Sequence, residues 1–232
     1  MPTISVQDKH LTVLNLFTTD TPGKQESLIQ EMTKIVNAAT YEGWMSSTVH
    51  AGVDSPGTAN FIQWRSGEDL EKRYSGEEFK HRTLPVFGEI TTSIRLLQNE
   101  VVHTLTADGP DTDVVICPNR DNHTVITVHT VAAADQDELI DALGPGQAGI
   151  ADAPGFRAHI VLRGLRARGL QGPFVVSYSQ WDSKQAYDAH RDLPQEQWPQ
   201  GRHKAHARIR AAATATDSNT YQVVLTRAAG EE

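Results

Sequence analysis

A carboxamide and an indole lie four residues apart in the segment NFIQW, at Asn60 and Trp64. If this segment is a β-strand, its alternating side chains place Asn60, Ile62 and Trp64 on one face. That face presents two hydrogen-bond donors with an apolar residue between them. Such a surface suits a flat aromatic ligand, which needs apolar walls and a few oriented donors. The spacing therefore predicts a binding surface for an aromatic molecule.

A proton acceptor for this surface has to come from a neighbouring strand. His50, in the preceding segment WMSSTVHA, is the candidate general base, because an imidazole titrates near neutral pH. Plainer interpretations exist for each residue: a core position for Trp64, a turn position for Asn60 and a strand position without chemistry for His50. The residues alone leave these alternatives open.

The Gln-Trp-x-Ser pattern that contains Trp64 occurs a second time, where it contains Trp181. Three landmarks recur in the same order, with offsets of 112, 117 and 121 residues: 42–52 with 154–164, 63–66 with 180–183, and 99–106 with 220–227. A growing offset is typical of insertions in loops between preserved elements. The sequence therefore predicts two copies of one unit. In the second copy, strand alternation places Ser177 on the same face as Trp181.

Each copy is predicted to have the element order β-α-β-β-α-β. Thr21 and Pro22 mark the start of the first helix, and the second copy has Asp135 with Glu138 as a predicted N-cap pair. The order is that of a ferredoxin-like unit, whose sheet has one bare apolar face. We therefore predict an α+β protein in which tandem ferredoxin-like repeats form an intramolecular dimeric α+β barrel. Its halves are expected to enclose an apolar cavity that receives the indole and the carboxamide.

The predicted boundaries are 8–107 for the first domain, 108–121 for a linker rich in Gly, Pro and Asp, and 122–229 for the second domain. The linker includes the segment DVVIC, which could form a short extra strand.

Composition excludes several classes of partner. The net charge of −8 argues against a nucleic-acid partner, which requires clustered cations. The sequence has no run of about 18 apolar residues, as a membrane span requires, and its start does not resemble a signal peptide. One cysteine, Cys117, fits a reducing compartment, so a cytoplasmic location is expected.

The segment VVSYSQWDSKQAYDAH resembles the third strand and second helix of the antibiotic biosynthesis monooxygenase family, whose members are dimeric α+β barrels. The resemblance covers nearly the whole chain as two fused copies. The most similar members are the cofactor-free anthrone and quinone-forming monooxygenases of aromatic polyketide pathways. Their motif has an Asn four residues before the strand-end Trp and often a Tyr six residues after it.

Neither copy matches that motif completely. In the first copy Asn60 and Trp64 match, but Leu70 occupies the Tyr position. In the second copy Trp181 and Tyr187 match, but a serine occupies the Asn position. We therefore expect the first copy to hold the catalytic site and the second to have diverged.

The resemblance implies a cofactor-independent monooxygenase of antibiotic biosynthesis that uses O₂ to oxidise a polycyclic aromatic anthrone or phenol to a quinone. It implies no metal and no cofactor besides O₂. Asn60 and Trp64 become oxyanion donors, with His50 as the base. The expected substrate-binding residues are Asn15, Ile62, Ser177, Trp181 and Tyr187. The pseudo-dimer lies within one chain, and further association of chains is left open.

Three alternatives share the same predicted fold. An aromatic polyketide cyclase or isomerase would need a base and an oxyanion site but no O₂. A non-catalytic binder of a hydrophobic aromatic metabolite would fit the incomplete motifs. Haem-degrading members of the superfamily have an Asn at the position of Asn15 and a ligand His near His81, but their helix Trp is replaced here by Arg73 or Tyr74.

Overall fold

Long strands rich in β-branched and aromatic residues dominate the chain, as their composition favours. The computed structural model describes residues 1–77, 79–118 and 123–231. Within these ranges the strands are β1 (Thr3–Ile4), β2 (Leu11–Thr18), β3 (Trp44–Gly52), β4 (Gly57–Trp64), β5 (Ser93–Thr106), β6 (Gly109–Pro110), β7 (Val114–Val115), β8 (His123–Val131), β9 (Phe156–Arg168), β10 (Phe174–Trp181) and β11 (Ala213–Ala228).

Helices connect these strands. They are α1 (Pro22–Ala38), α2 (Gly67–Ser75), α3 (Leu84–Ile90), α4 (Gln136–Leu143), α5 (Lys184–Arg191) and α6 (Gln200–Ala212). A π-helical turn, Phe79–Thr83, precedes α3, and a 3₁₀ segment, Pro145–Asp152, follows α4. Among the described residues, no helix is both long and apolar enough to cross a membrane.

Hydroxyl side chains cap three of the helices. Thr21, Ser66 and Ser183 accept hydrogen bonds from the backbone N–H groups three residues later, at 3.2, 3.2 and 3.1 Å. The predicted cap at Asp135 is wrong, because its side chain makes no capping hydrogen bond and a 3₁₀ turn leads into α4. Glu138 pairs instead with Arg208 of α6, at 2.6 Å.

Eight long strands close into a barrel. Their order is β2-β4-β3-β11-β8-β10-β9-β5, and β5 pairs back with β2. All of these pairs are antiparallel. Four strands come from each half of the chain, and the β3–β11 and β9–β5 pairs join the halves. The mixed α+β fold class with a closed barrel is thereby confirmed, while the description of each half as a ferredoxin-like repeat remains a prediction.

Side chains from both halves fill the barrel interior. Leu14, Phe61, Ile160 and Tyr178 belong to one buried cluster, together with further residues of the same strands. The cluster also includes Ile4 of β1, and β1 pairs with β7. The expected cavity between the halves is therefore occupied by core, which burial of apolar area stabilises.

The predicted linker, 108–121, contributes to this core as far as it is described. Val114 and Ile116 belong to the interior cluster, and the segment DVVIC contains the short strand β7. Residues 119–121 of the predicted linker lie outside the described residues.

Helices cover parts of the outer face of the barrel, while the first residues of β11 and the end of β9 are exposed. Helix α1 packs Leu28, Met32 and Val36 against the outer face of the first half. A second outer cluster contains Val13, Ala39, Trp44, Trp64 and Leu70. The outer face beneath the helices is therefore the second place where a ligand could lie.

Candidate functional site

Asn60, Ile62 and Trp64 share one face of β4, as predicted from strand alternation. That face is the outer one, since Phe61 belongs to the interior cluster and Trp64 packs with Val13 and Leu70 outside it. The expectation that the carboxamide and the indole point between the halves is therefore wrong. Strand alternation shows which residues of β4 share a face. It does not show which face points into the barrel, because both faces of β4 carry buried apolar residues.

Two rows of side chains continue from β4 across the outer face. Asn60 lies opposite Asn15 of β2, which lies opposite Leu96 of β5. In the parallel row, Ile62 lies opposite Val13, which lies opposite Gln98. Directly opposed side chains on one face have Cβ atoms about 5 Å apart, so each row is continuous.

The two asparagines form the polar centre of this surface. Asn15 Nδ2 donates to the Tyr74 hydroxyl of α2 at 3.5 Å. The Oδ1 atoms of Asn15 and Asn60 are buried without a hydrogen-bond partner among the described residues. Burial raises the pKa of the Tyr74 hydroxyl, so this group stays protonated and can donate. Amide and phenol groups are thus available to a ligand at one spot.

Trp64 provides a further donor. The residue is buried, and its Nε1 has no hydrogen-bond partner among the described residues. Its ring stacks against Tyr41, with centroids 6.5 Å apart. An unsatisfied buried N–H costs about 1–3 kcal/mol, so a ligand oxygen that accepted from it would recover that cost.

A cavity of about 310 Å³ adjoins this surface. Its floor is formed by Val13, Leu96 and Gln98, which belong to the two rows described above. One wall is aromatic: Tyr74 and Phe79 stack with centroids 4.4 Å apart and an interplanar angle of 19°. Asn60 and Trp64 do not line the cavity themselves but lie next to its floor. The volume falls in the range of small-molecule sites.

Charged side chains surround the cavity opening. Arg166 and Arg168 come from the end of β9, in the second half of the chain, and Lys80 and Glu71 come from the first half. Arg166 lies opposite Gln98 and Arg168 opposite Leu96, so both rows end on an arginine. Sequence reasoning missed these arginines, although their i, i+2 spacing in the segment RGLRARGLQGP was a usable signal.

His50 lies on the opposite side of the sheet from Asn60 and Trp64. It is fully buried inside the barrel, where Nδ1 hydrogen-bonds the carbonyl of Ala59 at 3.0 Å and Nε2 the hydroxyl of Tyr178 at 2.9 Å. Burial lowers its pKa to about 4. The structure therefore does not bring the predicted base to the predicted donors.

The matching surface of the second half is closed by packing. Trp181 donates its Nε1 hydrogen to Ser179 Oγ at 3.1 Å, and its ring lies 5.6 Å from that of Tyr187. Ser177, at the position of Asn60, lies 3.5 Å from Nε2 of His129. These predicted binding residues are brought together, but the indole already has a partner. His81, considered for haem ligation, is exposed and pairs with Glu77 at 3.2 Å.

Comparisons with known proteins place the chain among similar folds. The family model described as antibiotic biosynthesis monooxygenase matches residues 122–197. A crystal structure described as an anthrone oxidase-like protein is 70% identical, with a TM-score of 0.97, and covers 99% of this chain and 98% of its own. No curated protein matches the chain.

More distant structures share the fold alone. A monooxygenase candidate from Fusobacterium nucleatum is 12% identical, with a TM-score of 0.66 and coverage of 96% of this chain and 95% of its own. A structure described as a major regulator of staphylococcal pathogenesis is 10% identical, with a TM-score of 0.53 and coverage of 92% and 99%. Folds of this kind therefore occur with different functions, and function has to be argued from the site.

Proposed function

Because the chain belongs to the antibiotic biosynthesis monooxygenase family, we propose that it is a cofactor-independent monooxygenase. Its substrate is a polycyclic aromatic anthrone or phenol, its co-substrate is O₂, and its product is a quinone formed in antibiotic biosynthesis. The 70% identity to an anthrone oxidase-like protein over nearly the full length supports this proposal.

The observation that carries the proposal is the group of unpartnered polar atoms beside an aromatic-walled cavity. Trp64 Nε1 and the side-chain oxygens of Asn15 and Asn60 are buried without partners among the described residues. All three residues lie on the outer face that continues into the cavity floor. A planar substrate can stack on the Tyr74–Phe79 pair while its oxyanion accepts from Trp64 Nε1 and Asn60 Nδ2. A phenolic hydroxyl of the substrate can donate to an asparagine Oδ1.

The reaction needs an enol or enolate form of the substrate. Loss of a proton from the anthrone methylene gives a delocalised anion, whose negative charge lies largely on the carbonyl oxygen. Donors aimed at that oxygen stabilise the anion in a site with little water. One electron then passes to O₂, and combination of the two radicals gives a peroxide anion at the former methylene carbon, which takes up a proton from solvent to become the hydroperoxide.

Loss of water completes the reaction. One oxygen atom of O₂ becomes the new carbonyl oxygen, and the other leaves as water with the remaining methylene hydrogen and the hydroperoxide proton. We assign the initial proton transfer to bulk solvent before the substrate binds, since His50 lies inside the barrel. In this mechanism the protein binds the substrate, stabilises its anion and limits access of water.

The proposal includes the origin of the barrel. We propose that 8–107 and 122–229 are two ferredoxin-like units joined by 108–121, so that one chain forms a pseudo-dimer. The equal order of long elements in the two halves and the two equivalent sheet junctions support this description. The first unit holds the active site, and the second has become structural at the matching position.

Oxygen consumption with a model anthrone such as 1,8-dihydroxyanthrone tests the activity, without added metal or flavin. We expect Asn60→Ala and Trp64→Phe each to lower kcat by about 100-fold, as for loss of one oxyanion donor. Trp181→Phe is the matched control, because its indole already donates to Ser179. Unchanged rates in both first-half variants would show that the site is assigned wrongly.

The same preparation separates the alternatives. Turnover under strict anaerobiosis would favour a cyclase or isomerase, since neither needs O₂. Tight binding of an anthrone that is not turned over would favour the non-catalytic binder.

A further inference from the structure

We propose that the substrate carries a carboxylate, bound by Arg166 and Arg168, which the second half extends over the active site of the first. This inference rests on the proposed function, because it names the substrate class of the same site. It assigns the two arginines as specificity-determining residues that act on a part of the substrate remote from the reacting carbon.

The position of the arginines follows from strand register. Asn60, Asn15, Leu96 and Arg168 are successive cross-strand neighbours on β4, β2, β5 and β9. Adjacent strands lie about 4.8 Å apart, so the row from Asn60 to Arg168 spans roughly 14 Å. A tricyclic aromatic acid lying along this row would have its reacting ring near the asparagines and its carboxylate near the guanidinium groups.

The charge of the arginines is available to a ligand. Among the described residues, neither Arg166 nor Arg168 forms an ion pair, whereas Arg163 on the same strand pairs with Glu100 at 3.1 Å and Asp137 at 2.6 Å. Unpaired cations at a cavity opening are notable in a chain whose net charge is −8. A guanidinium group binds a carboxylate through two parallel hydrogen bonds, and this planar geometry makes it selective.

At the matching surface of the second half, the residue that comes from the other half is an aspartate instead of an arginine. Strand β9 is thirteen residues long and ends on Arg168, whereas its counterpart β3 is nine residues long and ends at Gly52. The loop after β3 holds Asp54, whose carboxylate lies 3.8 Å from Lys184 of α5. The longer second-half hairpin therefore provides cations to one site and has no equivalent at the other.

Binding of product-like ligands tests the proposal without requiring turnover. Anthraquinone-2-carboxylate and anthraquinone-2-carboxamide share one ring system and one planar end group of similar size, which is charged in the first and neutral in the second. We expect the unmodified protein to bind the carboxylate about 3- to 10-fold more tightly, because both arginines are exposed and ion pairs in contact with solvent are weakened by it. The double variant Arg166→Gln/Arg168→Gln should lose this preference while binding the amide as before.

Arg210→Gln is the matched control, because Arg210 is an exposed arginine of α6, away from the cavity lining. The carboxylate preference should also weaken as ionic strength rises, since salt screens exposed charges. A protein that binds both ligands equally, binds neither, or keeps its preference in the double variant would overturn the proposal.

Turnover of the corresponding anthrones separates this proposal from the function it rests on. A carboxylated anthrone should have a lower KM than a neutral one, and the double variant should raise that KM with little change in kcat. If neither anthrone consumes O₂ but the carboxylate preference depends on the arginines, the proposed oxidation fails and the ionic recognition stands. If both anthrones are oxidised with equal KM, the proposed oxidation stands and the proposed recognition of a carboxylate fails.

Discussion

Trp64 and Trp181 occupy matching strand ends, but their indole N–H groups have different surroundings. Trp181 donates to Ser179 two residues earlier, whereas Trp64 has Ile62 at that position and no partner among the described residues. The residue two positions before each tryptophan therefore decides whether the indole N–H has a hydrogen-bond partner: the serine at 179 accepts from it, and the isoleucine at 62 cannot. The Trp64 N–H is therefore free to bind an acceptor, whereas the Trp181 N–H is already satisfied within the protein.

Tyr74 is expected to contribute to substrate binding through its hydroxyl. Tyr74→Phe keeps the stack on Phe79 and removes the group that accepts from Asn15. We expect kcat/KM for an anthrone to fall about tenfold, the effect of one lost hydrogen bond of roughly 1.4 kcal/mol. Tyr187→Phe, in the second half, is the control and should leave kcat/KM unchanged. Equal effects of the two changes would contradict an assignment of the site to the first half.

At the scale of elements, α2 and α5 are matched helices with different consequences. Each begins at a serine whose hydroxyl accepts from the N–H group three residues later, at Asp69 or Ala186. Only α2 carries an aromatic side chain, Tyr74, into the cavity wall. The position of this helix relative to the sheet therefore affects the shape of the cavity, whereas the position of α5 affects packing around Trp181.

Removing the two caps separates stability from activity. Ser66→Ala and Ser183→Ala should each lower the free energy of unfolding by about 1 kcal/mol, as for the loss of an N-cap side chain. Only Ser66→Ala should also raise KM, because fraying of α2 displaces Tyr74. Denaturant unfolding and steady-state oxygen uptake measure the two effects. If Ser183→Ala raised KM equally, α2 would have no special role.

At the scale of the whole molecule, buried histidines link stability to pH. His50, His129 and His159 are buried, and burial lowers the pKa of each to about 4. The unfolded chain, with ordinary histidine pKa values near 6.5, binds more protons than the folded protein between these values. The contribution of these three neutral histidines to stability is therefore fully present above about pH 6.5, and it is lost as the pH falls towards 4.

Denaturant unfolding at pH 7 and pH 5 should show this dependence, with a loss on the order of 2 kcal/mol for each buried histidine. His50→Gln keeps a polar side chain in the barrel and removes one titrating group. We expect the loss in the free energy of unfolding between pH 7 and pH 5 to be smaller in this variant, by roughly the 2 kcal/mol that one buried histidine contributes. An unchanged difference would mean that His50 does not contribute to the pH dependence.

Local patterns in the sequence predicted the elements well. Thr21 and Pro22 marked the start of α1, and strand alternation placed Asn60 with Trp64, because both signals depend only on residues close in sequence. The side of the sheet could not be predicted in the same way. Both faces of β4 are covered, one by the core around Phe61 and one by the helices, so apolar residues occur at successive positions.

The register between the halves lay beyond any local signal. Gln98 and Arg166 are neighbours only because β5 of one half pairs with β9 of the other. For the same reason the sequence suggested His50 as a base, although its pairing with Ala59 assigns it to the inner face. Capping at Asp135 failed because Glu138 is held by Arg208, a residue 70 positions later.

Closure of the barrel by two unequal halves has a genetic consequence. In a dimer of identical chains, every substitution appears in both sites, so a change that improves one necessarily alters the other. Here the strand pairs β3–β11 and β9–β5 join segments encoded separately within one gene. A long strand with two arginines can therefore arise in one half without arising in the other. Selection can then change one pocket without changing the matching surface of the other half.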